Sequence, residues 1–280
     1  MSIDLSSIGF KTQAHILTYD WKRAALYALG IGARRDELDY LYEGRGPRVF
    51  PTFAVVATYP VVDELLDRTG GERAMIVHGG QKLDLYRRMP PQGTFHTVGT
   101  VHAIYDLRIM AQVLLKTTTK LDDAICFETE WSILVRGAGG FGGERRAKAD
   151  GPQIPDHKAP DFVNVATTSP EQALLYRLSG DLNPIHADPE LAAKAGFERG
   201  PILHGMCTFG FVARAIVQSV CGGDGDKLRS LTAQFKKPVW PGETLRTEGY
   251  TLGDGTIAVR AFAGERPEPV LGQCWAQLSN

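Results

Sequence analysis

The chain has 280 residues, of which 43% are hydrophobic and 22% charged, with a net charge of −1 at neutral pH. That balance is typical of a soluble globular protein of one large or two ordinary domains. It offers no basic field for nucleic acid, and no apolar run approaches the roughly 20 residues needed to span a bilayer.

In chain order, the first predicted element is a helix over Trp21–Leu29. A longer apolar helix is predicted over Pro51–Leu66, followed by strands at 94–104, 108–116 and 124–134. Lys148–Pro160 (KADGPQIPDHKAP), rich in Pro, Gly and charge, reads as a linker. Ser169-Pro170-Glu171-Gln172 then opens a helix to Leu178 with the signature of a capping box. Along Gly205–Val220, Met206, Phe209, Val212 or Ala213, Ile216 and Val220 recur at helical spacing, and the stripe is broad enough for burial on nearly all sides. Strands are predicted at 228–235, 244–252, 256–263 and 270–278, with a hairpin turn at Gly253-Asp254-Gly255. Long helix followed by antiparallel meander, twice over, makes an α+β chain in which each sheet wraps a helix.

The order of elements repeats because the sequence does. Pro91-x-x-Thr94-Phe95-x-Thr97-x-Gly99 returns as Pro241-x-x-Thr244-Leu245-x-Thr247-x-Gly249, at an offset of 150. Ala24–Leu29 returns as Ala173–Leu178 at 149, and Trp131 as Trp275 at 144. Three matches in one order divide the chain into a unit over 1–147, a linker over 148–160 and a unit over 161–280.

After the shared Tyr-x-Leu the copies diverge. The first reads Gly30-Ile31-Gly32-Ala33; the second reads Ser179-Gly180-Asp181-Leu182-Asn183-Pro184-Ile185-His186. Gly180 permits a turn at positive φ and Pro184 stiffens the backbone on either side of it, so Asp181 and His186 can converge. A carboxylate and an imidazole around one water form a general acid–base site, with Asn183 free to orient a neighbour. The same residue types also make a plain helix end and turn, and both readings stand at this level. His204, just before Gly205, reads as shaping the helix entry rather than doing chemistry. His15, His96, His102 and His157 have no partner at informative spacing.

Tyr176–Pro189, with Ala195-Gly196-Phe197 and Pro201-Ile202-Leu203-His204-Gly205, resembles the hydratase 2 motif of the MaoC-like (R)-specific enoyl-CoA hydratases. Tyr27–Ala33, Tyr42-Glu43, Pro51-Thr52-Phe53, His78-Gly79 and Gly139–Gly143 resemble the N-terminal half of the two-unit members. The resemblance implies a double hot-dog fold whose first unit is degenerate and accommodates the acyl chain. It implies that Asp181 and His186 activate a water supported by Asn183, with the Gly205 N–H on the thioester oxygen. It also matches Glu43 to a glutamate important for activity, although a solvated surface carboxylate reads the same from sequence. His78, Gly79, Gly142, His204 and Lys237 are further candidates for holding substrate; Lys236, Arg145 and Arg146 could likewise meet CoA phosphates or be solvated surface charge. Two departures stand out. The segment between His186 and His204 is one residue longer, with Arg199-Gly200, and Gly80 stands where many relatives carry Glu.

The expected reaction is reversible hydration of a trans-2-enoyl-CoA, with coenzyme A entering as part of the substrate and neither cofactor nor metal required. The alternatives are a hot-dog thioesterase, disfavoured by the Asp181/His186 loop, and a non-catalytic acyl-CoA-binding module. Cys126, Cys207, Cys221 and Cys274 have no zinc or C-x-x-C spacing. The first residues lack a signal-peptide pattern and the last do not form an SKL-type tripeptide. A reduced cytoplasmic homodimer, binding neither nucleic acid nor membrane, is the resulting expectation.

Overall fold

The computed structural model describes residues 3–146 and 151–279, so the first residues of the expected linker, 148–150, lie outside the described residues. Contacts divide the chain into two compact units. One comprises residues 3–18, 54–87 and 94–146; the other comprises 19–53, 88–93 and 151–279. The units are therefore not consecutive along the chain, since residues 19–53 of the first repeat fold with the second.

In the first unit the sheet runs β1 (His15–Tyr19), β3 (Gly93–Asp106), β4 (Met110–Leu121), β5 (Ala124–Arg136), β2 (Ile76–Leu85). In the second it runs β6 (Phe162–Thr167), β8 (Thr244–Gly253), β9 (Thr256–Ala263), β10 (Leu271–Leu278), β7 (Leu228–Phe235). These are the same order, strand for strand, and this is the repeat seen in three dimensions. Alternation explains the strands. In β4, Ala111, Val113, Leu115, Thr117, Thr119 and Leu121 are all buried. Its buried threonines are satisfied across the sheet, Thr117 with Thr129 at 2.7 Å and Thr119 with Thr97 at 2.9 Å. Asp254 and Gly255, at φ 47° and 71°, form the expected two-residue hairpin turn.

The α-helices are α1 (Trp21–Gly30), α2 (Leu38–Leu41), α3 (Tyr59–Thr69), α4 (Gln172–Tyr176), α5 (Pro189–Lys194) and α6 (Gly205–Val220). Helix α6 has the predicted bounds, and every residue from Met206 to Val217 is buried. It packs on β6, β7 and β8 as the core of its unit, while α3 packs on β4 in the other. Gly99 permits that approach: a Cβ there would lie 2.3 Å from Val61 Cγ1 and 2.8 Å from Leu65 Cδ1. The continuous helix predicted over Pro51–Leu66 is corrected. Pro51–Thr58 is a 3₁₀ segment, and the α-helix begins at Tyr59 with Pro60 in its first turn. Proline disfavours helical backbone in the residue before it and cannot donate to the turn behind it. The helix predicted over Pro170–Leu178 also shortens to α4 and a 3₁₀ turn, Arg177–Ser179. Its capping pattern is present, with Ser169 N–H donating to Gln172 Oε1 at 3.2 Å. Among the described residues no helix is long and apolar enough to cross a membrane.

Within the second unit, Arg214 of α6 is anchored to Glu37 by bonds of 2.5–2.9 Å, with side chains only 5% and 12% exposed. Removing one partner of a buried pair leaves an uncompensated charge. Arg214→Met should therefore lower unfolding stability by about 3–5 kcal/mol, and adding Glu37→Leu should restore most of it. Urea titration of the three variants checks this.

Candidate active site

The second unit assembles Asp181, His186 and His204. One nitrogen of each imidazole and a carboxylate oxygen of Asp181 lie within 4.8 Å of one another. Three turns bring them together. Gly180, at φ 128°, ends the 3₁₀ turn after α4 and reverses the chain into Asp181. Asn183 caps the next turn, Pro184–His186, accepting the Ile185 N–H on Oδ1 at 3.2 Å, and Pro184 starts that turn. His204 is the N-cap of α6.

Each imidazole is bound by a backbone carbonyl. His186 Nδ1 donates to the Ile202 carbonyl at 2.8 Å, and His204 Nε2 donates to the Asp181 carbonyl at 3.2 Å. A carbonyl only accepts, so these bonds place the ring protons on Nδ1 of His186 and Nε2 of His204. His186 Nε2 and His204 Nδ1 are then bare acceptors, and His204 Nδ1 is buried with no hydrogen-bond partner. The rings stack, with centroids 3.7 Å apart and planes at 27°.

Both imidazoles are held neutral. For His186, burial lowers the pKa, opposed by the Asp181 charge and the Ile202 bond and assisted by Arg177. For His204, burial pulls the pKa well below the ordinary value, assisted by His186 and Arg177 and opposed by the Asp181 carbonyl. Arg177, whose buried Nε has no partner, thus bears on both rings. It was not singled out from sequence; its signal was there, an Arg where the first repeat has Ala28.

The helix end beside the site is open. His204 makes no side-chain cap bond, and no partner is found among the described residues for the N–H groups of Gly205 and Met206. A Cβ on Gly205 would lie 3.2 Å from the Phe235 ring. A cavity of about 290 Å³ reaches His186, with Pro170, Ala173, Leu174, Pro201 and Trp240 among its walls. Arg199 also lines it, stacked 4.7 Å over the Trp240 ring and paired with Glu243 at 2.5 Å.

The other predicted residues have contacts of their own. The Asn183 side chain serves the backbone of its own turn. Glu43 opens an exposed 3₁₀ turn, Glu43–Arg45. Lys237 is exposed and paired with Glu268 at 2.8 Å. His78, Gly79 and Gly142 belong to the first unit. His78 and Gly79 occupy a bulge of β2 rather than a helix end, so this His-Gly pair is not the counterpart of His204-Gly205. His78 stacks on Trp131 at 4.6 Å, and burial takes its pKa down to about 4. The Gly142 N–H donates to Asp106 Oδ2 at 2.7 Å, and Gly140 donates to Oδ1 at 2.9 Å, so that carboxylate organises the glycine-rich loop. His15 has a partner that spacing does not reveal, Glu64 at 2.6 Å. All four cysteines are buried and free.

Residues 17–137 match the MFE-2 hydratase 2 N-terminal domain, and residues 153–265 match the MaoC like domain. The chain is similar to a probable enoyl-CoA hydratase 2 of Dictyostelium discoideum, 37% identical over 244 residues that cover 84% of this chain and 83% of that protein. It is also similar to the 3-hydroxyacyl-thioester dehydratase Y of Mycobacterium tuberculosis, 36% identical over 93% of this chain and 91% of that one. Among solved structures, a MaoC-like dehydratase from Phytophthora capsici superposes with a TM-score of 0.89 at 29% identity, covering 99% of this chain and 98% of that one.

The lowered pKa values carry a stability consequence. Above about pH 6.5 the imidazoles are neutral in both states. Below it the unfolded chain takes up protons that buried His186, His204 and His78 resist, so stability falls as pH drops towards their folded values. Thermal melts should be flat above pH 6.5, apart from other groups, and decline below it. Restoring His186 alone to an ordinary titration, by NMR, would contradict the assigned burial.

Proposed function

Because the chain belongs to the MaoC-like dehydratase family, in its two-unit hydratase 2 form, we propose that it hydrates a trans-2-enoyl-CoA to an (R)-3-hydroxyacyl-CoA and catalyses the reverse dehydration. One observation carries the assignment of the chemistry to this site: a neutral imidazole, its proton fixed on the far nitrogen, beside a carboxylate.

Asp181 and His186 Nε2 are both acceptors, and a water presents two hydrogens to them. As its oxygen bonds to C3, the C2=C3 π pair moves towards the thioester. The negative charge that develops on the thioester oxygen is met by the open N-terminus of α6, where the Gly205 N–H stands with the positive end of the helix dipole. The proton taken from the water is returned to C2 on the same face. Water is thereby added across the double bond with no change of oxidation state, so no redox cofactor is needed. The cavity beside His186 suits the thioester arm, with apolar walls and one guanidinium. Glu43 and Lys237, in the unit that holds the cluster, are assigned to accommodating the substrate, and Asn183 acts by holding the catalytic turn.

We also place the protein in the cytoplasm as a homodimer. Four free cysteines suit a reducing compartment. The outer strands β1 and β6 leave backbone edges unpaired, with Ile16, Val163 and Val165 more than half exposed. Sedimentation at micromolar concentration is expected to give twice the chain mass.

The wild-type protein should consume the enoyl absorbance of a trans-2-enoyl-CoA and release no free thiol. Asp181→Asn and His186→Ala should each cost about 10²–10⁴-fold in kcat with the fold intact by circular dichroism. Release of coenzyme A detected by a thiol reagent, or near-normal turnover in either variant, would overturn the reading.

A further inference from the structure

His204 touches both members of the proposed catalytic pair, by different means. Its Nε2–H holds the Asp181 backbone carbonyl at 3.2 Å, and its face lies on the His186 ring at 3.7 Å. Its other neighbour is Tyr176, with ring centroids 4.9 Å apart, and Tyr176 in turn meets Tyr27 at 5.9 Å. Tyr27 meets Phe53 at 5.6 Å. A line of rings thus runs from the core of the second unit to His186, and His204 is its last member before the reacting groups.

The ring is fully buried, and Nδ1 has no hydrogen-bond partner. A proton on Nδ1 would place a positive charge in a fully buried ring, stacked at 3.7 Å on a neighbouring imidazole. The ring is therefore suited to holding its neighbours and not to exchanging protons. A phenyl ring would fill the same space without leaving an orphaned acceptor, so on packing grounds alone a histidine here is a disadvantage. What histidine adds is the N–H on the Asp181 carbonyl.

We propose that His204 is a positioning residue of the hydratase site, fixing the carboxylate-bearing turn through the Asp181 carbonyl and the plane of the His186 imidazole through stacking. This rests on the assignment of Asp181 and His186 as the catalytic pair. It differs from a role in binding substrate, because its effect falls on the bound complex after binding. Misplacing a reacting group by about 1 Å can cost on the order of 10²-fold in rate.

Three variants separate the contributions. His204→Phe keeps the stacked face and removes the N–H. His204→Gln carries an amide N–H at the reach of Nε2. His204→Asn is too short to reach the Asp181 carbonyl. With the full-length chain and a trans-2-enoyl-CoA, Phe and Asn should each lower kcat about 10²-fold with KM changed less than about threefold. Gln should recover at least about tenfold of that loss. The Phe variant should melt near the wild-type midpoint, because the orphaned Nδ1 is gone while the Asp181 carbonyl loses its donor. Wild-type ¹⁵N imidazole shifts, read without substrate, should show His204 protonated on Nε2 and bare on Nδ1. Equal activity in Phe and Gln, a loss confined to KM, or a proton on Nδ1 would overturn the proposal. Should Phe fail to fold, the Asn–Gln contrast decides it. Absence of hydration by the wild type would instead refute the assigned reaction, while the ¹⁵N shifts still report on His204.

Discussion

Two backbone carbonyls, those of Ile202 and Asp181, each take a hydrogen bond from one imidazole, and the chemistry of the site depends on that. With one nitrogen of each ring committed as a donor, the other must be a bare acceptor. Burial and Arg177 keep the rings from gaining a second proton. One nitrogen of each ring thus lies within 4.8 Å of the Asp181 carboxylate, and His186 Nε2 and His204 Nδ1 are left as acceptors. An acceptor-rich cluster of this kind suits a ligand that brings its own hydrogens, as the water of the proposed hydration does. The carbonyls therefore do more than anchor rings: by choosing the tautomer, they leave the acceptor nitrogens that the proposed hydration calls for.

The two copies share an architecture, while among the described residues the acid–imidazole cluster belongs to one unit. Both have the same strand order, and Tyr27 and Tyr176 are equivalent residues. Yet residues 19–53 fold with the second repeat, so the two tyrosines touch inside one unit. Gly30 of α1 lies against Tyr176 at the meeting, where a Cβ would be 3.4 Å from Tyr176 Cα, an ordinary contact distance. The side chain of Gln172 closes the junction by donating to the carbonyls of Leu29 and Gly30 at 3.2 and 2.7 Å. The first copy of the early helix thus packs behind the second, and its Tyr27 meets the rings of Tyr176 and, beyond it, His204 and His186.

Much of this was legible in the sequence, and the parts that were not have physical causes. Helix α6 and strands β7 and β9 were read to the residue, because a broad apolar stripe and a clean alternation admit few other structures. Strand β2 was missed: its sequence IVHGGQKLDL carries two glycines in a bulge, which erase the alternation. Strands β1 and β6 were missed because they are short edges with exposed apolar residues. The helix from Pro51 was read too long because apolar content is blind to the difference between 3₁₀ and α turns, which Pro60 decides. At the site, Asp181 and His186 were visible because Gly180 and Pro184 announce a rigid loop between them. The Ile202 carbonyl was not, since a backbone acceptor leaves no mark in residue identity. His204 reads as a helix entry, which it is; its contacts with Asp181 and His186 depend on a loop closure that spacing alone does not give.

That double position of His204 also accounts for the helix end beside it. The residues that best cap a helix are Ser, Thr, Asp and Asn, whose oxygens fold back onto the first free N–H groups and stabilise the structure by about 1 kcal/mol. Any of them at position 204 would occupy the donors of α6. The imidazole instead turns away, towards Asp181 and His186, and makes no cap bond. The Gly205 and Met206 N–H groups are left for another acceptor, at the positive end of sixteen residues of helix. A structural requirement, the cap, has been left unmet at a helix terminus adjoining the acid–base cluster. The same residue that orders the proton-accepting side of the site thereby leaves the anion-accepting side open, and a reaction that moves a proton at one carbon while charge builds on a thioester oxygen needs both.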